Sequence, residues 1–170
     1  MDATLKKIAL GGGCHWCTEA VFQQVVGVLK VEQGYVASKA KQSDYSEGVI
    51  IHYDRDKISL KSLIEIHLHT HQSTSNHSMR NKYRSAIYYY NENDKIEALA
   101  SLNNLRTDFE KEIITKVLPF ISFKSSREEI QNYYLKGPDK PFCQNFISPK
   151  LGLLKKKFYT SLKEDKKIAT

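Results

Sequence analysis

Cysteine is scarce in this chain, with three residues in 170, at positions 14, 17 and 143. So small and odd a number does not build the paired framework that staples small secreted domains, which leaves reactive thiols or metal ligands as the readings. Long apolar runs are also missing. Nothing approaches the ~20 residues that a membrane-spanning helix needs. Met1 to Leu10 carries two lysines and no extended apolar stretch, so no secretory signal is read there and a cytoplasmic setting is expected. No Pro/Gly/Ser-rich linker and no internal repeat divides the chain. One domain is therefore expected over 1–170, and 41% hydrophobic residues suffice for a sizeable core.

The formal charge is +7. Much of the excess lies late in the chain, at Lys150, Lys155, Lys156, Lys157, Lys163, Lys166 and Lys167. Such runs read as a solvated helix face rather than as a nucleic-acid patch, although they can steer acidic partners towards the protein. The basic tail over about 160–170 is expected to be flexible.

Strands and helices intermix. Lys6 to Leu10 is a short apolar strand running into Gly11-Gly12-Gly13, and Cys14 to Val26 follows with helical spacing. Val28 to Val36, Gly48 to Tyr53 and Ser85 to Tyr90 are β-branched or aromatic runs and read as strands. Ser59 is placed to cap a helix carrying Leu60, Leu63, Ile64 and Ile66. His69 to Asn81 reads as a loop. Asp94 to Lys111 reads as an amphipathic helix with Ile96, Leu99, Leu102, Leu105 and Phe109 on its apolar stripe. Ile113 to Phe123 reads as an edge strand interrupted by Pro119. Helices are expected over Ser126 to Leu135 and Pro149 to Leu162.

The chemistry concentrates at Gly11-Gly12-Gly13-Cys14-His15-Trp16-Cys17. Glycines after a strand let the backbone turn sharply and approach a neighbour closely. A cysteine at the start of the following helix meets the unpaired N–H groups and the positive end of the dipole, which favour the nucleophilic thiolate. Cys17, three residues on, can close a disulfide within the first helical turn. A buried, inert cysteine is the alternative to a reactive Cys14.

These residues carry a resemblance. Gly13-Cys14-His15-Trp16-Cys17, continued by Thr18-Glu19-Ala20-Val21-Phe22, is similar to the Gly-Cys-Phe-Trp signature of the A-type peptide methionine sulfoxide reductases. Tyr83-Arg84-Ser85-Ala86-Ile87-Tyr88 and Phe142-Cys143-Gln144 through Ile147-Ser148-Pro149-Lys150-Leu151 resemble two later blocks of that family. The matches run in order over nearly the whole chain.

The resemblance implies an α+β single domain, a mixed sheet flanked by helices in two layers with a ferredoxin-like core. It implies reduction of the S epimer of methionine sulfoxide, free or in proteins, with no bound cofactor. Cys14 would attack the sulfoxide sulfur and be left as sulfenic acid. A second thiol, Cys17 or Cys143, would close a disulfide that thioredoxin, or dithiothreitol in vitro, reduces. Trp16 matches one wall of the methyl pocket. Glu47 matches the carboxyl that protonates the departing oxygen, and Tyr83 a hydroxyl that binds it. A monomer is expected.

The chain departs from the family at several points. His15 replaces a Phe that lines the methyl pocket. The segment before Glu47, which supplies a second tyrosine, is shortened, and Tyr45 is the available substitute. Asn76, His77 and Ser78 stand where the family has an acid. Glu128-Glu129-Ile130-Gln131 replaces a histidine motif. A kept core with a remodelled substrate rim implies weaker activity or a different sulfoxide.

Two other readings compete. Cys14-His15-Trp16-Cys17 is a Cys-x-x-Cys motif, which fits a thiol–disulfide oxidoreductase. His67, His69, His71 and His77 cluster, with His67 and His71 one helical turn apart, and with Cys14 and Cys17 they fit a metal-binding protein.

Overall fold

Ile8–Leu10, Val49–Ile51 and Ala86–Tyr88 are unbroken apolar runs because both faces of the sheet are covered there. The computed structural model describes residues 4–168. Its strands are β1 (Leu5–Gly11), β2 (Val28–Ala37), β3 (Ser46–Asp54), β4 (Ala86–Tyr89), β5 (Lys116–Pro119) and β6 (Ser122–Ser125). They lie in the order β5-β4-β1-β3-β2-β6, all neighbours antiparallel except the parallel β4–β5 pair. The helices are α1 (His15–Gln23), α2 (Leu60–Thr70), α3 (Glu92–Leu105), α4 (Tyr133–Lys136), α5 (Ser148–Lys157) and α6 (Glu164–Ile168). The run β1-α1-β2-β3-α2-β4, with β4-β1-β3-β2 side by side, is the β-α-β-β-α-β arrangement that the resemblance implied. Among the described residues no helix is long and apolar enough to cross a membrane.

Alternate residues of each strand serve the two faces. Ile8, Leu10, Val49, Ile51 and Ile87 meet Val21 and Phe22 of α1, Leu63 and Ile64 of α2, and Leu154 of α5. Each such side chain contributes about 1.5–3 kcal/mol by leaving water. Ala9, Val36, Ile50, Ala86 and Tyr88 form a second cluster on the other face with Leu118, Phe120 and Phe123. This face is covered because the sheet curls. Phe120 donates its N–H to Tyr89 O and Ile121 to Ala37 O, so the link between β5 and β6 ties the two edges together.

Three expectations need correction. The stretch read as one edge strand is two, β5 and β6, on opposite edges of the sheet. Proline at the end of β5 has no N–H to continue the ladder, so the break falls there. The stripe assigned to α3 is misplaced: Ile96 and Leu99 are 64% and 49% exposed. The packed face is Asp94, Ala98, Ser101 and Leu105. Its small residues let the helix sit close to its neighbours, and Leu102 and Phe109 close the margin. Finally, residues 126–135 form only a 3-10 turn, Glu128–Ile130, before the four-residue α4. Asn132 has a positive φ of 55°, which no continuous helix accommodates. In the basic tail, Leu162 is buried and bridges Val25; residues 169 and 170 lie outside the described residues.

Candidate active site

β1 delivers the chain to the Gly-rich turn, and Cys14 becomes the N-cap of α1, with φ −56° and ψ 128°. The turn is held close to α2. A Cβ at Gly12 would stand 2.5 Å from the ring of His71, so only glycine fits. His67 Nε2–H donates to Gly11 O at 2.8 Å. Burial pushes His67 down to about 4 and holds His71 well below the usual imidazole range, so both rings are neutral supports. Arg80 completes the clamp, donating to Gly12 O at 2.7 Å and Tyr83 O at 2.8 Å.

The Cys14 thiol lies below its ordinary 9.0. The main cause is a hydrogen bond from the Cys17 thiol, reinforced by the N–H groups of Trp16 and Cys17; burial and the Glu47 charge oppose it. Cys17 is driven in the opposite direction, first by that same bond and then by burial. Of the two thiols Cys14 is therefore the one that gives up its proton first, and Cys17 the one that keeps it.

Cys14 opens into a cavity of about 530 Å³ lined by His15, Trp16, Tyr35, Tyr45, Glu47, Lys82, Tyr83, Arg127, Ile130 and Phe142. The structure thus brings together Cys14, His15, Trp16, Tyr45, Glu47 and Tyr83, all singled out in the sequence. Glu47 sits in β3 opposite Tyr35 of β2 and is 7% exposed. Its Oε1 accepts the His15 N–H at 3.1 Å. Oε1 also faces His15 Nε2 at 3.4 Å, and Oε2 lies 3.7 Å from Lys82 Nζ. Trp16 is stacked on Tyr133 at 4.0 Å with a 13° interplanar angle and meets Phe142 edge-on at 5.1 Å. Tyr45 is exposed at the rim, its hydroxyl 2.6 Å from Ser122 Oγ.

A family model described as "Peptide methionine sulfoxide reductase" matches residues 6–163. The chain belongs to the peptide methionine sulfoxide reductase family. It is 38% identical to the peptide methionine sulfoxide reductase MsrA of Trichodesmium erythraeum, over 91% of this chain and 96% of that one. To the MsrA of Campylobacter jejuni it is 36% identical, over 86% and 96% of the two. Among solved structures, it is similar to reduced Mxr1 from Saccharomyces cerevisiae with a TM-score of 0.75 at 21% identity, covering 84% of this chain and 91% of that one.

In this family member the other two cysteines are buried beside the first. Cys17 and Cys143 share an apolar cluster with Ala20 and Ile147, against which Cys14 and Trp16 pack. Cys143 opens a π-helical turn, Cys143–Ile147, and burial raises its thiol.

The four histidines do not assemble with the cysteines. His67 and His71 are stacked at 4.2 Å and committed to hydrogen bonds, His69 faces Asp108, and His77 accepts the Met79 N–H. Among the described residues, one set of possible metal ligands converges: Glu65, His69 and Asp108, of which Asp108 is exposed.

Two supports were not visible in the sequence. Glu19, 1% exposed, accepts hydrogen bonds from Gln33 Nε2 and from the N–H groups of Asn132 and Tyr133, at 2.9, 3.0 and 3.2 Å. It thereby holds Tyr133 over Trp16. Arg80 is the other, a cation whose partners are backbone carbonyls. No pattern in the chain marks the Asn132 and Tyr133 N–H groups as donors to Glu19, or the Gly12 carbonyl as an acceptor for Arg80.

Proposed function

We propose that this chain reduces methionine S-sulfoxide, free or in proteins, to methionine, with Cys14 as nucleophile. The observation that carries the reading is a Cys14 thiol held below its ordinary range at a helix start, opening into a cavity whose lining combines Trp16, Phe142 and Ile130 with Glu47 and Tyr83. The substrate methyl fits against Trp16, Phe142 and Ile130, as an aromatic wall suits a soft thioether-like group. In this reading the sulfoxide oxygen meets Glu47 and the Tyr83 hydroxyl, both of which line the same cavity.

The thiolate attacks the sulfoxide sulfur while the oxygen takes one proton from Glu47, because an unprotonated oxygen is a poor leaving group. Tyr83 donates a hydrogen bond to that oxygen as its bond to sulfur breaks. The hydroxyl ends on Cys14 as sulfenic acid and the sulfide leaves. Cys17 then displaces water to close the disulfide. Before oxidation its thiol keeps the proton chiefly through the bond to Cys14, and the Cys14 charge adds to this. Both causes vanish once Cys14 is a neutral sulfenic acid, while the Lys150 ammonium, which favours the Cys17 thiolate, remains. Cys143, which shares the cluster, then attacks the Cys14 sulfur and releases Cys17 as a thiol, leaving a Cys14–Cys143 disulfide. A yeast relative of similar fold, Mxr1, has been solved in complex with Trx2; thioredoxin is proposed as the reductant here, acting on a monomer without a bound cofactor.

The test is a single turnover without reductant, followed by peptide mapping of wild type, Cys17→Ser and Cys143→Ser. One methionine per enzyme is expected, with a Cys14–Cys17 linkage persisting in Cys143→Ser. If Cys14 instead carries stable sulfenic acid in Cys143→Ser and a disulfide in Cys17→Ser, the resolving assignment is reversed.

A further inference from the structure

At the position where the resemblance expects an apolar Phe, this chain buries an imidazole at 3% exposure, and the geometry fixes a hydrogen on one of its ring nitrogens. His15 Nδ1 lies 2.8 Å from Gly34 O. A carbonyl can only accept, so Nδ1 carries the hydrogen. The register of β2 on β3, with Gly34 opposite Gly48 and Tyr35 opposite Glu47, puts that carbonyl there. Nε2 thereby lies 3.4 Å from Glu47 Oε1, within ion-pair range. Across that distance the two groups can hold a proton in two ways: on the carboxyl, beside a neutral ring, or on Nε2, beside the carboxylate. Each holds the same single proton.

We propose that His15 and Glu47 store one proton jointly, and that His15 is the positioning residue through which Glu47 delivers it to the sulfoxide oxygen. The inference deepens the reductase reading and rests on it. The Cys14 sulfur loses two electrons to the sulfoxide sulfur, the sulfur–oxygen bond breaks, and the oxygen takes one proton as it becomes the sulfenic hydroxyl. When the acid is the donor, Glu47 gives its own proton. When the imidazolium is, its Nε2 proton passes through Oε1. Both end with a Glu47 carboxylate and a neutral His15. When an external dithiol later reduces the disulfide, Cys14 returns as thiolate plus one proton, and that proton restores the pair. The cycle balances with no other donor.

The other groups facing the pair come from every element around it. Lys82 approaches Glu47 Oε2 at 3.7 Å. Tyr35 packs edge-on against the His15 ring at 5.1 Å. Cys14, Tyr45, Tyr83 and Arg127 share the cavity. Of the side chains touching Glu47, Lys82 is a half-exposed cation that water can replace, whereas His15 is sealed in and linked to no other acid.

An isolated imidazole keeps its proton about two pH units further into the alkaline range than an isolated carboxyl. Removing the ring nitrogen should therefore pull in the alkaline limb of turnover. The experiment compares pH profiles of kcat for methionine sulfoxide reduction in wild type, His15→Asn and His15→Phe. Asn keeps a donor for Gly34 O but has nothing at Nε2; Phe has neither. Both variants are expected to lose about tenfold more activity relative to wild type near pH 8 than near pH 6, one pH unit of limb shift being tenfold in the protonated fraction. Cys14 alkylation at each pH reports separately on the nucleophile and its fold. Profiles parallel to wild type, or a loss in Phe alone that Asn restores, would mean that His15 only fills and fastens the pocket. Absence of turnover in wild type with Cys14 still readily alkylated would overturn the reductase reading and this one with it.

Discussion

Truncating Glu19 tests whether the aromatic wall is held from beneath. Glu19→Ala leaves three donors without their acceptor: the Gln33 amide and the N–H groups of Asn132 and Tyr133. Hydrogen bonds to a carboxylate are each worth about 1.5–3 kcal/mol, and an orphaned buried donor costs about 1–3. The two backbone donors are partly buried and can regain water, so a total of about 3–4 kcal/mol is expected rather than the full sum. In a chain of this size each kcal/mol lowers Tm by about 2–4 °C, which gives a fall of roughly 6–16 °C. Glu19→Gln should lie about midway, because its amide keeps one oxygen but turns N–H groups on the remaining donors. The functional signature is separate. With Asn132 and Tyr133 released, Trp16 loses the ring stacked on it at 4.0 Å, so KM should rise more than kcat falls. Thermal unfolding by circular dichroism and steady-state kinetics read both effects. A Glu19→Ala protein melting within about 2 °C of wild type with an unchanged KM would refute the reasoning.

Cys17→Ala removes the main cause of the lowered Cys14 thiol, so the pH giving half-maximal Cys14 alkylation should move up towards 9.0; an unmoved midpoint would leave the helix start alone responsible. Lys150→Met removes the ammonium that favours the Cys17 thiolate, and trapping with a sulfenic-acid reagent should show disulfide closure about five- to tenfold slower. His67 is pushed by burial from 6.5 to about 4, so the folded protein binds fewer protons than the unfolded chain between those values. Its contribution is complete above about pH 6.5 and lost as pH falls through 4, about 3 kcal/mol in all. Denaturant titrations at pH 7 and pH 4.5 should show a smaller acid loss in His67→Gln than in wild type.

The legible parts of the molecule were those written in consecutive residues. Apolar runs marked β1 to β4, Ser59 capped α2 as read, and the triple-glycine turn announced both the start of α1 and the place of Cys14. What was hidden depends on closure of the sheet. Residues 113–123 could not be divided between two edges without knowing that the edges meet. The α3 stripe misled because Ile96 and Leu99 are apolar but face solvent, while the buried Asp94 and Ser101 are polar. The turn from Ser126 to Leu135 looked helical because its driving contact, Glu19 with the Asn132 and Tyr133 N–H groups, lies over 100 residues away in sequence. Cys14, Trp16, Glu47 and Tyr83, which the resemblance singled out, line one cavity. The engagement of His15 with both Gly34 and Glu47 was not legible, since it needs the register of β2 on β3.

The central claim is that Cys14 attacks the sulfur of methionine S-sulfoxide. The most direct measurement is turnover of the separated S and R epimers by wild type and Cys14→Ser, with dithiothreitol as reductant. The account predicts that wild type consumes the S epimer alone and that Cys14→Ser consumes neither. Turnover of the R epimer, or activity surviving in Cys14→Ser, would contradict it.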